Sequence, residues 1–420
     1  MAVEQEDGER PPTREGGGRR SFLRRHWLAL VAGLLSLVLL VGGTLAWLAY
    51  RKLNGNIRTD TATGRLLGRE SDRPSPVAGD AENILLIGSD DRGGANSAYG
   101  STGGQRSDTV ILLHLAAGGR RATAVSIPRD VMVTVPPCDL PDGSRSRGGL
   151  GQFNLAFETG GAACTIRTVE QISGIRVDHH VILDFTGFKR MVDAVGGVEV
   201  CVPAPIHDRD AKLDLDAGRQ VLHGEQALGY VRARESLGNG SDTDRMGRQQ
   251  QFLAALVRKV QSQGVLLNPT KLWPLLDAAT SSITADPGLS RLGALYELAQ
   301  RLRSMPPNEI TFLTTPRRPY RYNANRDEFV QPDTDRLFAA LRADQQVTVR
   351  PSASLGPVTG TAPDGSPGPS PDASPDASPD ASPQAGATPG AQQAPADPGT
   401  AAASPSLEGR TADQDVCPAG

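Results

Sequence analysis

Lysine is scarce in this chain, with five residues (Lys52, Lys189, Lys212, Lys259, Lys271) against 39 arginines among 420. The same chain is rich in Ala, Gly and Pro, the signature of a high-GC genome. Arginine abundance therefore carries no function by itself, and only local clusters count. Several motifs are missing as well. There is no P-loop, no GxSxG and no CxxC, which removes nucleotide-cradling, serine-hydrolase and thiol-exchange readings. His179 and His180 are adjacent on an expected strand, point to opposite faces and cannot bind one metal together. Residues 351–420 hold 14 of the 32 prolines and no Phe, Tyr, Trp or Ile. Such a segment cannot bury enough apolar surface to offset its chain entropy. Strong positive charge is absent too. The net charge is −3, and the 351–420 segment alone has eight acids against one base, Arg410. What precedes it is only mildly basic, which excludes a bulk nucleic-acid binder.

The chain does contain one long apolar run. Trp27 to Tyr50 carries no charge, and as a helix it would be about 36 Å long, enough to cross a bilayer. Trp27, Trp47 and Tyr50 lie at its ends, where amphipathic rings favour the interface. Five arginines precede the run closely and four cations follow it, a bias that places the N-terminus inside and the following domain outside. The expected organisation is an N-terminal cytoplasmic tail over 1–26, a transmembrane helix over 27–50 and a linker over 51–80. A folded domain over 81–345 and a disordered Pro/Ala/Ser/Asp-rich tail over 346–420 complete it. The tail includes three P-D-A-S units between Pro371 and Ser382, an extended and solvated composition.

Within the folded part, apolar β-branched runs predict strands at 83–87, 109–115, 123–127, 179–183, 198–202 and 310–313. Helical spacing predicts helices over 152–159, 163–173, 185–194, 225–230, 245–261, 271–280, 290–303 and 333–341. Interleaved strands and helices give an α/β fold, layered α/β/α around a central mixed sheet. Ligands in such folds favour the C-terminal ends of strands, and Asp90, Arg129 and Asp130 fall there.

Four short segments gather arginines and acids beside apolar elements. They are GSDDR (Gly88–Arg92), QRSDT (Gln105–Thr109), SIPRD (Ser126–Asp130), and YVRAR (Tyr230–Arg234) with SDTDRMGRQQ (Ser241–Gln250). Arg245 and Gln249 are i, i+4 and share a helix face, which Arg248 can join. Several guanidinium forks can hold a pyrophosphate. Asp90 and Asp108 are a carboxylate pair suited to one Mg²⁺, which takes phosphate oxygens and waters as its other ligands. The plain alternative for any single segment is a structural Arg–Asp pair on a solvated rim.

The ordered set LLIGSD, QRSDT, SIPRD, QFNLAF, GGVEV, GEQALGYVRAR and DRMGRQQ resembles an actinomycete-type member of the LytR–CpsA–Psr family over roughly 81–260. The resemblance implies a membrane-anchored protein with its domain outside the cell. It also implies binding of a polyprenyl-phosphate- or pyrophosphate-linked glycopolymer, transfer of that polymer to peptidoglycan, and Mg²⁺. By the matched motifs, Asp90 and Asp108 are metal-associated acids. Arg106, Arg129, Arg232, Arg234 and Arg245 bind phosphate, with Gln249 beside them, and Asp242 orients an arginine. Asp108, Arg129 and Asp130 are the candidate catalytic residues, either acid being a possible general base. Gln152 stands where the family often has a cation. That departure favours the rival reading, a non-catalytic polyprenyl-phosphate-binding envelope regulator, which fits the family's historical label of transcriptional attenuator. A DNA-binding attenuator fails on topology, because 26 cytosolic residues offer no fold.

On the outer side of a membrane, disulfides persist. Cys138 and Cys164 flank the Gly/Arg/Ser-rich stretch 141–151 and form the expected pair. Cys201, within GGVEVCV, is expected as a packed free thiol, and Cys417 falls in the expected tail.

Overall fold

Alternating apolar residues on three central strands make a sheet with two buried faces. In the computed structural model, residues 18–77, 79–89, 107–233, 242–262, 269–350 and 406–414 are described. The elements begin with α1 (Gly18–Asn56), β1 (Arg58–Thr59), α2 (Ala62–Leu66), β2 (Glu82–Ser89), β3 (Ser107–Leu115) and β4 (Ala122–Ile127). Next come β5 (Met132–Val135), β6 (Gly149–Gln152), α3 (Leu155–Ser173), β7 (His179–Asp184), α4 (Phe185–Ala194) and β8 (Val198–Val202). The short strands β9 (Ile206–Asp208), β10 (Leu213–Leu215) and β11 (Gly218–Leu222) lead to α5 (Gly224–Arg232), α6 (Asp242–Ser262) and α7 (Pro269–Ser282). β12 (Ile283–Ala285), α8 (Leu292–Ser304), β13 (Ile310–Thr314), β14 (Arg317–Tyr320) and β15 (Asn323–Phe329) follow. The last elements are α9 (Asp333–Arg342), β16 (Thr348–Arg350) and β17 (Ser406–Thr411).

Nine strands form one mixed sheet in the order β1-β12-β7-β2-β3-β4-β13-β17-β16. β2 runs parallel to β7 and β4 parallel to β13, with β3 antiparallel between β2 and β4. On one face, Leu85, Ile87, Val110, Leu112, Val125 and Ile127 pack under α3 and α9, with Phe153, Phe157 and Phe338. On the other, Ile84, Ile111, Leu113 and Ala124 meet Ala254 of α6 and the apolar side of α8. A satellite core joins the β8–β11 hairpin to α4, α5 and α6 through Val200, Tyr230 and Phe252. Each fully buried Leu or Phe contributes about 1.5–3 kcal/mol, so the sheet is anchored firmly from both sides. This is the expected α/β/α layering. α3 also matches the two expected helices over its span, since Gly160 and Gly161 break its regularity.

Three expectations need correction. The stretch expected as a linker, 51–80, contains β1, α2 and buried ionic contacts. β1 pairs with β12, Leu53 and Ile57 are buried, and Asn56 Nδ2 donates to Asp277 Oδ1 at 3.1 Å. Arg73 grips Glu170 of α3. A segment held by single polar contacts shows no apolar period, so pattern reading passes over it.

The expected tail is likewise not wholly outside the fold. β17 pairs antiparallel with β13 and parallel with β16, and Arg258 Nη1 on α6 donates to the carbonyl of Ala412 at 2.7 Å. A Cβ on Gly409 would lie 2.5 Å from Phe312 O and 2.9 Å from Val349 Cγ1, so this glycine lets the strand fit between its neighbours. β17 covers an edge of β13 whose backbone groups would otherwise be open.

The third correction concerns Cys201, which is disulfide-bonded rather than free. Cys138 and Cys164 are bonded to each other with Cα atoms 5.4 Å apart, and Cys417, the one cysteine left in the sequence, lies outside the described residues. Strand β17 returns the C-terminal part of the chain to the sheet, which the tail composition gave no reason to expect.

α1 is one continuous helix of 39 residues. Its stretch Ala29–Asn56 is long and apolar enough to cross a membrane, with none of its most apolar window buried. The last turns dock on the domain. Lys52 Nζ lies 3.3 Å from Asp277 Oδ1, and Asn54 Oδ1 accepts from the backbone N–H of Leu292 at 3.1 Å.

Candidate active site

The C-terminal ends of β2, β4, β7 and β13 and the N-terminal end of β3 lie along one edge of the central sheet. Thr123–Ile127 is fully buried as strand and stops at Pro128, which supplies no backbone donor and ends the ladder. Arg129 and Asp130 follow directly. Across the ladder, Val110 pairs with Ile127, which brings Asp108 opposite Arg129. Arg129 Nη1 donates to Asp108 Oδ1 at 2.6 Å, and its Nε donates to Asp130 Oδ2 at 3.2 Å. One guanidinium therefore bridges two carboxylates, and all three side chains remain about one-fifth exposed.

Asp130 has further neighbours. Gln152 Nε2 at the end of β6 donates to Asp130 Oδ1 at 2.5 Å, and Arg326 Nη1 lies 3.8 Å from the same oxygen. Gln152 thus sits in the site, as its motif implies, and sets a neutral amide against Asp130. Its placement follows from β6, which pairs with β5 just after the Arg129–Asp130 turn.

α5 and α6 form the other wall. Gln249 Nε2 donates to Thr109 Oγ1 at 3.2 Å and to the carbonyl of Val231 at 3.1 Å, tying α6 to the start of β3 and the end of α5. Arg245 and Arg248 are both 4% exposed and Gln249 is 9% exposed, so all three point inward as their helical spacing predicts. Arg248 Nη2 donates to the carbonyl of Ala233. Arg232 closes α5 with its guanidinium 4.7 Å from the ring of Phe185, a cation–π contact. Behind them, the Tyr230 hydroxyl donates to Gln251 Oε1, and Gln251 Nε2 donates to the carbonyl of Cys201. Burial pushes the Tyr230 phenol up to about 12, so it is a fixed donor that braces α6.

The structure thus brings together Asp108, Arg129, Asp130 and Gln249, with Arg232 and Arg245 on the adjoining wall. Asp90, Arg106 and Arg234 lie outside the described residues, as does the Asp242 side chain at the first position of α6. Arg326 was missed by the sequence reading. Its signal was the arginine-rich run Arg317–Asp327, which lies far along the chain from the other segments.

Among the described residues, no three His, Cys, Asp or Glu side chains gather as a metal cluster. Mg²⁺ does not require one, since one or two carboxylates suffice when substrate phosphates complete its shell. The carboxylate oxygens of Asp108 have the right chemistry for that hard cation, and Asp90, the expected second acid, lies outside the described residues.

The sequence model of the LytR_cpsA_psr family matches residues 51–344. Over 291 residues the chain is 37% identical to the probable cell wall biosynthesis protein LcpB of Corynebacterium glutamicum, covering 66% of this chain and 64% of LcpB. It is 31% identical over 248 residues to the polyisoprenyl-teichoic acid–peptidoglycan teichoic acid transferase TagT of Bacillus subtilis, covering 57% of this chain and 71% of TagT. The crystal structure of B. subtilis TagV superposes with a TM-score of 0.50 at 26% identity, covering 63% of this chain and 98% of TagV. The chain spans somewhat less than two thirds of LcpB's length, while the family match takes in α1's last turns, both walls of the site and α9. With the bridging Arg129 at the strand ends and the family pattern running across that whole span, this chain belongs to the LytR–CpsA–Psr family.

Proposed function

We propose that this protein is a membrane-anchored phosphotransferase that moves a glycopolymer from a polyprenyl-pyrophosphate carrier to peptidoglycan. The observation that carries the reading is the shared guanidinium of Arg129, held between Asp108 and Asp130 and walled by α5 and α6. A guanidinium fixed by two carboxylates is held in a set orientation at the strand ends, and planar forks match phosphate oxygens. Arg232 and Arg245 supply further positive charge on the adjoining wall. The named activity of TagT, a teichoic acid transferase, is of this reaction class.

In the proposed step, an acceptor hydroxyl oxygen forms a bond to the sugar-linked phosphorus. The bond from that phosphorus to the bridging oxygen breaks, and polyprenyl phosphate leaves with the electron pair. The hydroxyl proton passes to the carboxylate of Asp130, or to that of Asp108 when Asp108 holds no metal. Arg129 and the α5–α6 arginines stabilise charge on the transferring group, where fixed donors are most effective. A bound Mg²⁺, held through Asp108 with Asp90 as the expected second acid, would neutralise phosphate charge. The domain then faces the outer side of the membrane, where both substrates meet.

Purified full chain in lipid nanodiscs, given lipid-linked polymer and peptidoglycan fragments, should release polyprenyl phosphate and label the fragments. Retention of the lipid without release would instead identify the non-catalytic binder, the reading that Gln152 favours.

A further inference from the structure

The hairpin β14–β15 is a feature that the reaction above does not use. Its sequence, RRPYRYNANRDEF over 317–329, carries four arginines against two acids. Its two strands form a separate two-stranded sheet. Its base is fixed to the site. The backbone N–H of Asp327 donates to the carbonyl of Asp130 at 3.2 Å, a β-bridge joins Val131 to Asp327, and Arg326 approaches Asp130. Phe329 is edge-on to Phe338 at 6.4 Å and packs on the α3–α9 core. Arg317 and Asp327 lock the two strands with a 2.5 Å ion pair.

The tip is different. Tyr322 is 75% exposed, its ring lies 5.3 Å from that of Tyr320 in an edge-on pair, and the Arg321 guanidinium sits 5.1 Å from the Tyr322 ring. Nothing in the core requires two tyrosines here. A sugar ring has a face of C–H groups and a rim of hydroxyls. A tyrosine offers the matching apolar body and polar tip, and nearby guanidiniums suit carboxylates.

Geometry decides which saccharide. An in-line displacement places the incoming and leaving oxygens on opposite sides of the phosphorus. The leaving phosphate belongs with Arg232 and Arg245 on α5–α6, which pack with the other face of the sheet. The hairpin packs on the α3–α9 face through Phe329 and meets the site at Asp130. We infer that the β14–β15 hairpin, through Tyr320, Arg321 and Tyr322, is the docking surface for the acceptor, a carboxylate-bearing glycan strand. The inference rests on the transfer reaction proposed above.

The test uses the full chain in nanodiscs carrying Tyr320→Ala and Tyr322→Ala together. The acceptor KM should rise about tenfold, the size of losing one or two aromatic contacts, with kcat and the KM for the lipid-linked donor unchanged. Tyr322→Phe alone should recover most of the acceptor affinity, because the ring remains. An equal thermal midpoint in parent and variant separates the effect from unfolding. An unchanged acceptor KM, or a parallel rise in donor KM, overturns the inference. If the parent chain shows no turnover at all, the reaction fails instead. The hairpin is then judged by calorimetric titration with soluble, uncrosslinked peptidoglycan glycan: saturable binding in the parent that is lost in the double variant upholds it, and no binding in the parent sinks it.

Discussion

Charged side chains gather at both ends of β7 and its neighbours, and the two groups are built differently. At the start of β7, each acid is held by one basic side chain and by one or more backbone N–H groups. Asp60 caps α2 through the N–H groups of Ala62 and Thr63 and also meets His180 Nε2 at 3.1 Å. Asp286 takes His179 Nδ1 at 3.0 Å and the N–H groups of His180 and Gly288. Close by, Glu170 accepts both Arg73 Nη2 at 2.6 Å and the N–H of Val177. These are closed pairs. At the opposite end, Arg129 bridges Asp108 and Asp130, and Asp130 is bordered by the Gln152 amide and, at 3.8 Å, by Arg326. Closed pairs tie separate elements together, whereas the Arg129 bridge stands at the strand ends, where ligands of such sheets bind.

The comparison breaks most sharply if the two groups are truncated in turn. Arg129→Ala should lower transfer about a thousandfold, the scale of removing a fixed charge-stabilising donor, with little change in unfolding midpoint. Asp108→Ala should likewise abolish transfer in a folded protein. Turnover near the parent's in either variant would dismiss the site. Arg129→Lys should recover little, because a point charge cannot span two carboxylates and a phosphate.

Glu170→Ala should show the opposite pattern. It leaves Arg73, only 9% exposed, with only the exposed Glu70 carboxylate at 3.6 Å, and breaking a buried pair costs about 3–5 kcal/mol. Urea unfolding should register that loss, while the rate per folded molecule stays at the parent's value. A variant of normal stability would show that the pair is not structural.

The disulfide Cys138–Cys164 comes next in size. It closes a loop with a sequence separation of 26, worth about 3 kcal/mol in the chain-entropy model. Replacing both cysteines with serine should lower stability by that order. It should also raise the donor KM modestly, since the loop carries β6 and Gln152. A stability loss with unchanged donor KM would separate the bond from the site.

This contrast also explains how much was legible in the sequence. The sheet was readable because Leu85–Ile87, Val110–Leu115 and Thr123–Ile127 are long apolar runs whose burial dictates their conformation. Asp108, Arg129 and Gln249 were readable because each directly follows or faces such a run. The stretch 51–80 was misread because Asp60 and Arg73 act through single long-range partners, 120 and 97 residues away, and such contacts leave no periodic trace. β17 was misread for a related reason. Ser406–Thr411 contains Glu, Gly and Arg, poor strand formers, and only the open edge of β13 makes it a strand. The hairpin carrying Arg326 was overlooked because exposed strands alternate arginine with tyrosine and proline, and no buried face marks them.

The smallest expected effect lies within the closed group itself. The hydrogen bond from Asp286 raises the His179 imidazole above its ordinary value, with Glu82 and Asp178 adding to the attraction. A histidine raised on folding adds stability that is complete below its unfolded value near 6.5 and lost as pH climbs through the higher folded one. His114 has the opposite sign. Burial pushes its imidazole down despite the Asp344 carboxylate beside it, so its contribution is present above about 6.5 and lost as pH falls through the lower folded value. Stability measured for the parent minus that for His179→Gln should therefore decline from pH 6.5 upward. The corresponding difference for His114→Gln should decline from pH 6.5 downward. Each change should be about 1 kcal/mol or less, as for partly exposed ion pairs. Two slopes of the same sign would mean that the His179–Asp286 contact is not closed in solution, and the distinction between the two charge groups would lose its edge.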